Sequence, residues 1–340
     1  MTARLTGIAL LTAAVLLAGC GAFAPIGQAK PGSGQASHSP AASPAASPAA
    51  TTPTPAAYNI SALLDPPSGK YLGVDADGAP DSLAPVRTFA AAVGHNPDII
   101  GQYIGWGSAF DAHAAASAWS YGALYYMSWE PYGTSVAAIA GGRSNAYIAT
   151  FAEAVRTLNV PVAISFGHEM NGNWYPWGTT GTTPSEFVAA WRLIHGIFAG
   201  VGASNVIWVW NPNDIYPVPQ VQLEPYWPGD SYVDWVGITG YMAATGPDTF
   251  ATLFEPTMDE IRQFTSEPFI IAETSVQTGP SEVAGVNALV QSVTAHPDVL
   301  GLVWFDYNKD GVDWRIESRP TVQSTFAQDI SGLQVVDPRQ

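Results

Sequence analysis

With 340 residues, 47% hydrophobic and 11% aromatic, the chain can bury a sizeable core, which excludes a largely disordered or fibrous polypeptide. Its 12 Lys and Arg stand against 28 Asp and Glu, a formal charge of -16, so nucleic acid and anionic membrane surfaces are set aside as partners. A charged fraction of only 12%, beside 12 Trp and 14 Tyr, suits neutral hydroxyl-rich ligands held by stacking and hydrogen bonds; an aromatic-rich core alone would leave the same composition.

Residues 1–20 have a weakly basic start at Arg4, an almost unbroken apolar run over 8–17, and then Leu17-Ala18-Gly19-Cys20. The segment resembles a bacterial lipoprotein signal peptide. That implies lipidation of Cys20 and a cell-surface protein held on the bacterial membrane through that lipid alone. An ordinary secretory signal or an uncleaved anchor are the alternatives, and the run is short for a stable span. Cys20 is the one cysteine, so no intramolecular disulfide forms. Residues 21–57 are Ala, Ser, Pro, Thr and Gly, with Ala-Ala-Ser-Pro at 41–44 and again at 45–48. Such a composition buries nothing and reads as a disordered, extended linker.

Folded sequence is expected over 58–335, as one domain. Short apolar runs predict strands at 70–76, 98–106, 123–129, 162–166, 205–210, 234–239, 269–272 and 301–305. Helical spacing falls between them, at 83–93, 109–119, 144–158, 184–198 with Thr183 as cap, 254–265 and 281–294, and 319–330 closes the chain. Eight strands, each followed by a helix or a loop long enough for a crossover, are the count of a (β/α)8 TIM barrel. A doubly wound open sheet is the runner-up, but no G-x-G-x-x-G follows the first strand.

Chemistry is expected at the strand ends. The fourth strand runs into His168 and Glu169 and then a loop rich in Gly, Asn and Trp; the seventh, Phe269-Ile270-Ile271-Ala272, is followed at once by Glu273. In a closed barrel the two glutamates face each other across one mouth. Two carboxyl groups about 5–5.5 Å apart serve a retaining glycosidase, and a gap of about 6.5–9.5 Å an inverting one. The plainer alternatives are a half-buried carboxylate held by His168 in a structural loop, and a Glu273 that caps the next helix. Trp106, Trp129, Tyr132, Trp177, Trp210, Tyr226 and Trp227 lie at strand ends or in the following loops, where sugar rings would stack, although several are expected to be structural.

Gly-His-Glu-Met-Asn-Gly-Asn-Trp-Tyr-Pro-Trp-Gly at 167–178 resembles the acid/base signature of glycoside hydrolase family 26, a (β/α)8 family of endo-β-glycanases, and Phe-Ile-Ile-Ala-Glu at 269–273 resembles its nucleophile strand. The resemblance implies Glu169 as general acid/base and Glu273 as nucleophile. It implies His168 beside the acid, Trp174 near the cleavage point, Tyr241 touching the nucleophile and Trp304 under the sugar before the cleaved bond. The implied reaction is retaining, endo-acting hydrolysis of a neutral β-linked polysaccharide, β-1,4-mannan or β-1,3-1,4-glucan, by a monomer without cofactor. No His, Cys or acidic set has metal-ligand spacing, and Asn308-Lys309-Asp310-Gly311-Val312-Asp313 reads as a surface turn, lacking the length and final glutamate of a calcium loop.

A sugar-binding lipoprotein that captures oligosaccharide without cutting it is the rival of another class, although a binder has no need of the glutamate pair. Mannan is in doubt on the resemblance itself. Mannan-cleaving members often carry an arginine after the eighth-strand tryptophan and a histidine from the third-strand region; here stand Phe305-Asp306 and Trp129-Glu130-Pro131. For the first segment, an inhibitor of the lipoprotein signal peptidase is expected to make a lipidated precursor accumulate in producing cells, read as a mobility shift on an immunoblot. Unchanged mobility would refute lipidation at Cys20.

Overall fold

Eight strands close a barrel in sequence order: β1 (Tyr71–Ala76), β2 (Ile99–Gly105), β3 (Leu124–Glu130), β4 (Val162–Phe166), β5 (Val206–Trp210), β6 (Trp235–Met242), β7 (Phe269–Val276) and β8 (Val299–Asp306). Every pairing is parallel, and β8 closes on β1 from Tyr71 opposite Gly301 to Ala76 opposite Asp306. The computed structural model describes residues 56–64, 69–215, 221–245, 249–309, 311–333 and 337–339. Cys20, the linker up to residue 55 and Asp310 lie outside the described residues.

Side chains of a strand alternate between faces, so an apolar run buried on both sides feeds two cores. Ile99, Leu124, Tyr126, Ala163, Val209 and Trp235 meet inside the barrel. Their neighbours Ile100, Tyr125, Met127, Ile164, Trp208 and Val236 meet the helices instead, among them Phe89, Phe151 and Trp191. Leu63, with Tyr58, Ile60 and Leu64 packed beside it, joins the inner cluster.

Thr183 caps the helix Pro184–Val201 as expected. Its hydroxyl accepts from the Glu186 N–H at 3.3 Å while Glu186 Oε2 accepts from the Thr183 N–H at 2.8 Å, and the helix ends at Gly202 in the left-handed region. The helix expected over 254–265 is shorter, Glu255–Ile261, and a separate turn of helix, Phe250–Leu253, precedes it; Pro256 in the first turn of the later helix has no N–H to carry the earlier one onward. A short helix Val136–Ala140, capped by Ser135, and a two-stranded hairpin of Asn308–Lys309 and Val312–Asp313 were not anticipated.

The largest departure concerns β7, which runs four residues past its expected end, so Glu273 lies within the strand and not after it. Polar residues at the barrel mouth still pair with a neighbouring strand, and polarity was misleading as a stop signal. Between Ile238 opposite Ile271 and Thr239 opposite Glu273, β7 carries one extra residue, Ala272. This bulge lets consecutive residues face inward: Ala272 joins the inner core and Glu273 reaches Tyr103 and Tyr241.

The seam between β8 and β1 is equally tight. A Cβ at Gly301 would lie 2.1 Å from the Tyr71 carbonyl oxygen, a backbone atom held in the ladder. Gly301→Ala is therefore expected to destabilise the barrel by about 3 kcal/mol, measured by chemical denaturation. A change within experimental error would show that the seam relaxes freely.

Candidate active site

After β4 the chain turns through Gly167 (φ 59) and Glu169 (φ 54), both left-handed. Glycine adopts this conformation freely; for a glutamate it costs about 1–2 kcal/mol. Hydrogen bonds hold the bend: the Glu169 N–H donates to Asn211 O at 2.7 Å, and the Gly172 N–H donates to Glu169 O at 2.9 Å. Such strain, held by its surroundings, turns the Glu169 side chain into the barrel mouth.

There Glu169 Oε1 accepts from Asn213 Nδ2 at 2.9 Å and Oε2 from Trp174 Nε1 at 2.6 Å. Asn213 is fixed in turn by Asn171: its N–H donates to Asn171 Oδ1 at 2.9 Å, and Asn171 Nδ2 donates to Asn213 O at 2.8 Å. The loop after β4 and the loop after β5 thus lock each other through one asparagine pair. Glu273 has different partners. Its Oε2 accepts from the Tyr103 hydroxyl at 2.6 Å and its Oε1 from the Tyr241 hydroxyl.

Both glutamates are buried, and burial disfavours a carboxylate. Burial and then the charge of Glu273 push the Glu169 carboxyl up to about 8. Burial also raises Glu273, but the two phenols and the Lys309 ammonium pull the other way. Lys309 stands on the hairpin, 5.7 Å from the centroid of the Phe305 ring. The N–H donors of Trp174 and Asn213 oppose the rise of Glu169 as the phenols oppose that of Glu273, but only Glu273 has an ammonium acting on it, which favours the proton of the pair on Glu169. His168, 1% exposed, sits among the rings of Tyr103, Tyr175 and Trp177 at 5.1–5.8 Å. Burial drives its imidazole down to about 3, so the ring is neutral, and neither nitrogen has a partner among the described residues. No group of three or more His, Cys, Asp or Glu among the described residues is placed to hold a metal.

Residues 123–262 match the model of glycosyl hydrolase family 26. This stretch is similar to family 26 sequence. Glu169 lies inside it and Glu273 beyond it. Endoglucanase H of Acetivibrio thermocellus is 29% identical over 267 residues, which are 74% of this chain and 29% of that protein. A mannan endo-1,4-beta-mannosidase of Bacillus subtilis is 29% identical over 132 residues, 35% of each. The matched stretches span about a third of these relatives' own length. Among solved structures, a modular endo-beta-1,4-mannanase of Cellulomonas fimi superimposes with a TM-score of 0.64 at 16% identity, over 82% of this chain and 75% of that one. The Bacillus subtilis mannanase BCman gives 0.60 at 19%, over 84% and 94%. Likeness at such identity shows the (β/α)8 barrel fold.

The structure brings Glu169, Glu273, His168, Trp174 and Tyr241 together and removes most of the expected sugar platforms. Trp129, Trp177, Trp210 and Trp304 are 0–1% exposed and offer no face to a ligand. Trp129 stacks on Phe151 at 4.4 Å, and Trp177 on Tyr175 at 4.3 Å. Trp210 donates to Tyr226 O, and Trp304 packs on Phe326 and donates to Trp314 O. The cause on the strands is parity: residues 129, 210 and 304 point toward the helices. Phe305, one residue on, turns toward the mouth, edge-on to Tyr241 and stacked on Tyr307 at 4.5 Å. Trp106 is half-buried against Trp129, Tyr226 is buried, and Trp227 packs against Trp210 and Phe264. Trp174 and Tyr132 remain as exposed large aromatics.

Residues missed from the sequence are Tyr103, Asn171, Asn213, and two further carboxyl groups, Asp75 and Glu130. Parity along β2 from inward Ile99 would have marked Tyr103; the asparagine pair has no signal short of the tertiary contact. Glu130, at the end of β3, is raised to about 7 by burial, with Lys309 opposing and Glu273 adding to the rise. Because the phenol of Tyr103 favours the charged form of Glu273, Tyr103→Phe is expected to raise the Glu273 midpoint, followed by carbon-13 titration of labelled glutamate. A midpoint unchanged or lowered would remove Tyr103 from its support.

Proposed function

We propose that the chain is a retaining, endo-acting glycoside hydrolase that cleaves a neutral β-linked polysaccharide by double displacement. The observation that carries this reading is the glutamate pair itself: two buried carboxyls in one barrel mouth, Glu169 held by two N–H donors and pushed up to about 8, Glu273 held by two hydroxyls with the Lys309 ammonium opposing its rise. Glu273 attacks the anomeric carbon while Glu169 gives its proton to the departing oxygen. Once the glycosyl ester forms, the charge of Glu273 is gone, the Glu169 carboxyl becomes a stronger acid, and its carboxylate takes a proton from water to release the sugar. Neutral His168, with both nitrogens unpartnered, is suited to the hydroxyls of the sugar beside the cleaved bond, and exposed Trp174 to walling the next one.

A β-glucan of the mixed β-1,3-1,4 type is the substrate we favour over β-1,4-mannan. The endoglucanase match spans 74% of the chain and the Bacillus subtilis mannosidase match 35%. Glu130 ends β3, and Asp306, which follows Phe305, is spent on accepting the Ile316 N–H at 2.8 Å. We further propose that Cys20 carries the lipid that holds this domain at the cell surface.

The test is hydrolysis of defined β-glucans and mannans, with reducing ends counted and the first product's anomer read by proton NMR. Retention is expected, with oligosaccharides from mixed-linkage glucan. Glu169→Ala should lower kcat by about 10²–10⁴-fold and Glu273→Ala at least as much. Since Glu169 must be protonated, kcat/KM should fall as pH rises through about 8, and Glu273 should set the acidic limb. An inverted product, or full activity in either variant, would refute the mechanism; no cleavage of any polymer would refute the activity.

A further inference from the structure

Asp75, on β1, is 2% exposed and takes no part in the reaction as derived above. Its carboxyl lies over Gly101 of β2, where a Cβ would come within 1.4 Å of Oδ1, so the space it fills exists because residue 101 has no side chain. Asp75 Oδ2 is 3.3 Å from the Tyr103 hydroxyl, and Oδ1 is buried without a hydrogen-bond partner among the described residues. The titratable groups that face it are the phenols of Tyr103, Tyr126, Tyr241 and Tyr307 and the carboxyl of Glu273. No cation is among them.

Tyr103 has one proton and two carboxyl oxygens within reach. The 2.6 Å bond to Glu273 Oε2 takes that proton, which leaves the phenol oxygen as an acceptor toward Asp75. A charged Asp75 would then place an unpaired oxygen against the phenol lone pairs and a second charge beside Glu273, while Lys309, the cation that acts on Glu273, does not act on Asp75. A neutral carboxylic acid resolves both conflicts with a single proton. The orphaned Oδ1 identifies the oxygen that holds it: a carbonyl oxygen tolerates lacking a donor better than a hydroxyl tolerates lacking an acceptor, so the proton sits on Oδ2.

We infer that Asp75 is a positioning residue, a neutral acid whose Oδ2 hydroxyl donates to Tyr103 and thereby commits the Tyr103 proton to Glu273. The chain Asp75 to Tyr103 to Glu273 runs in one direction, and successive hydrogen bonds polarise one another, so the last bond to the charged nucleophile is strengthened. No proton is transferred along it. Burial, and next the charge of Glu273, push the Asp75 carboxyl well above the usual carboxylate range, in keeping with this arrangement. The role in catalysis rests on Glu273 acting as the nucleophile.

The test uses Asp75→Asn, whose amide can still donate to Tyr103, and Asp75→Ala, which cannot. Difference infrared spectra of wild type against Asp75→Asn at neutral pH should show the carbonyl band of a protonated carboxylic acid lost in the variant; a lost carboxylate band instead would overturn the inference. Asp75→Asn should retain at least ten-fold more kcat than Asp75→Ala, with similar KM in both. Its acidic limb should stay near the wild-type position, while that of Asp75→Ala moves to higher pH. Equal kcat in the two variants, or an acidic limb moved to lower pH in Asp75→Asn as loss of a charge would cause, also counts against it. If Asp75→Ala does not fold, the infrared and pH readouts of Asp75→Asn decide alone. A wild type that cleaves no polysaccharide would sink the hydrolase reading, while the infrared band and the carbon-13 midpoint of Glu273 in Asp75→Asn would still decide the state of Asp75.

Discussion

Two carboxyl groups buried in one barrel mouth cannot both be charged without a cost that grows as water is excluded. The rest of the site is a response to that constraint. Both carboxyls accept two hydrogen bonds that favour their charge, from phenols of β2 and β6 on Glu273 and from an indole and an amide on Glu169, but the Lys309 ammonium acts on Glu273. One proton shared unequally between two glutamates gives an acid and a nucleophile from the same residue type.

Holding that inequality needs rigid placement. The bulge at Ala272 turns Glu273 inward, and the left-handed backbone at Glu169 turns the other carboxyl toward it. Neither conformation is the local preference of its residues; both persist because neighbours hold them, through the register of β6 on one side and the bond to Asn211 O on the other. The mutual bonds of Asn171 and Asn213 tie the loops after β4 and β5 into one piece, which fixes a donor on Glu169.

The aromatic residues divide by face. The barrel's helix-side core takes Trp129, Trp208, Trp210 and Trp304, where large rings fill the space between a curved sheet and its helices. The mouth keeps Trp174 and Tyr132 exposed, with Phe305 and Tyr307 stacked beside Tyr241. A high tryptophan count in this chain is thus mainly a packing property, and ligand contact falls to a few rings.

Eight apolar runs at crossover spacing determined the barrel from sequence alone, since a strand buried on both faces has little choice but a parallel sheet covered by helices. The motif at 167–178 and the run before Glu273 likewise marked both glutamates, because ionisable residues directly after apolar strands are rare in a core. Which side chains face the mouth was decided only by the tertiary structure. Parity fails at a bulge, as at Ala272, and an unpaired strand pattern does not say which face is inside; the resemblance implies Trp304 under a sugar, whereas in the barrel Trp304 faces the helices and Phe305 the mouth. Tyr103, Asn213 and Asp75 come from strands and loops far apart in sequence, and their roles arise from distances of about one hydrogen bond that closure of the barrel alone creates.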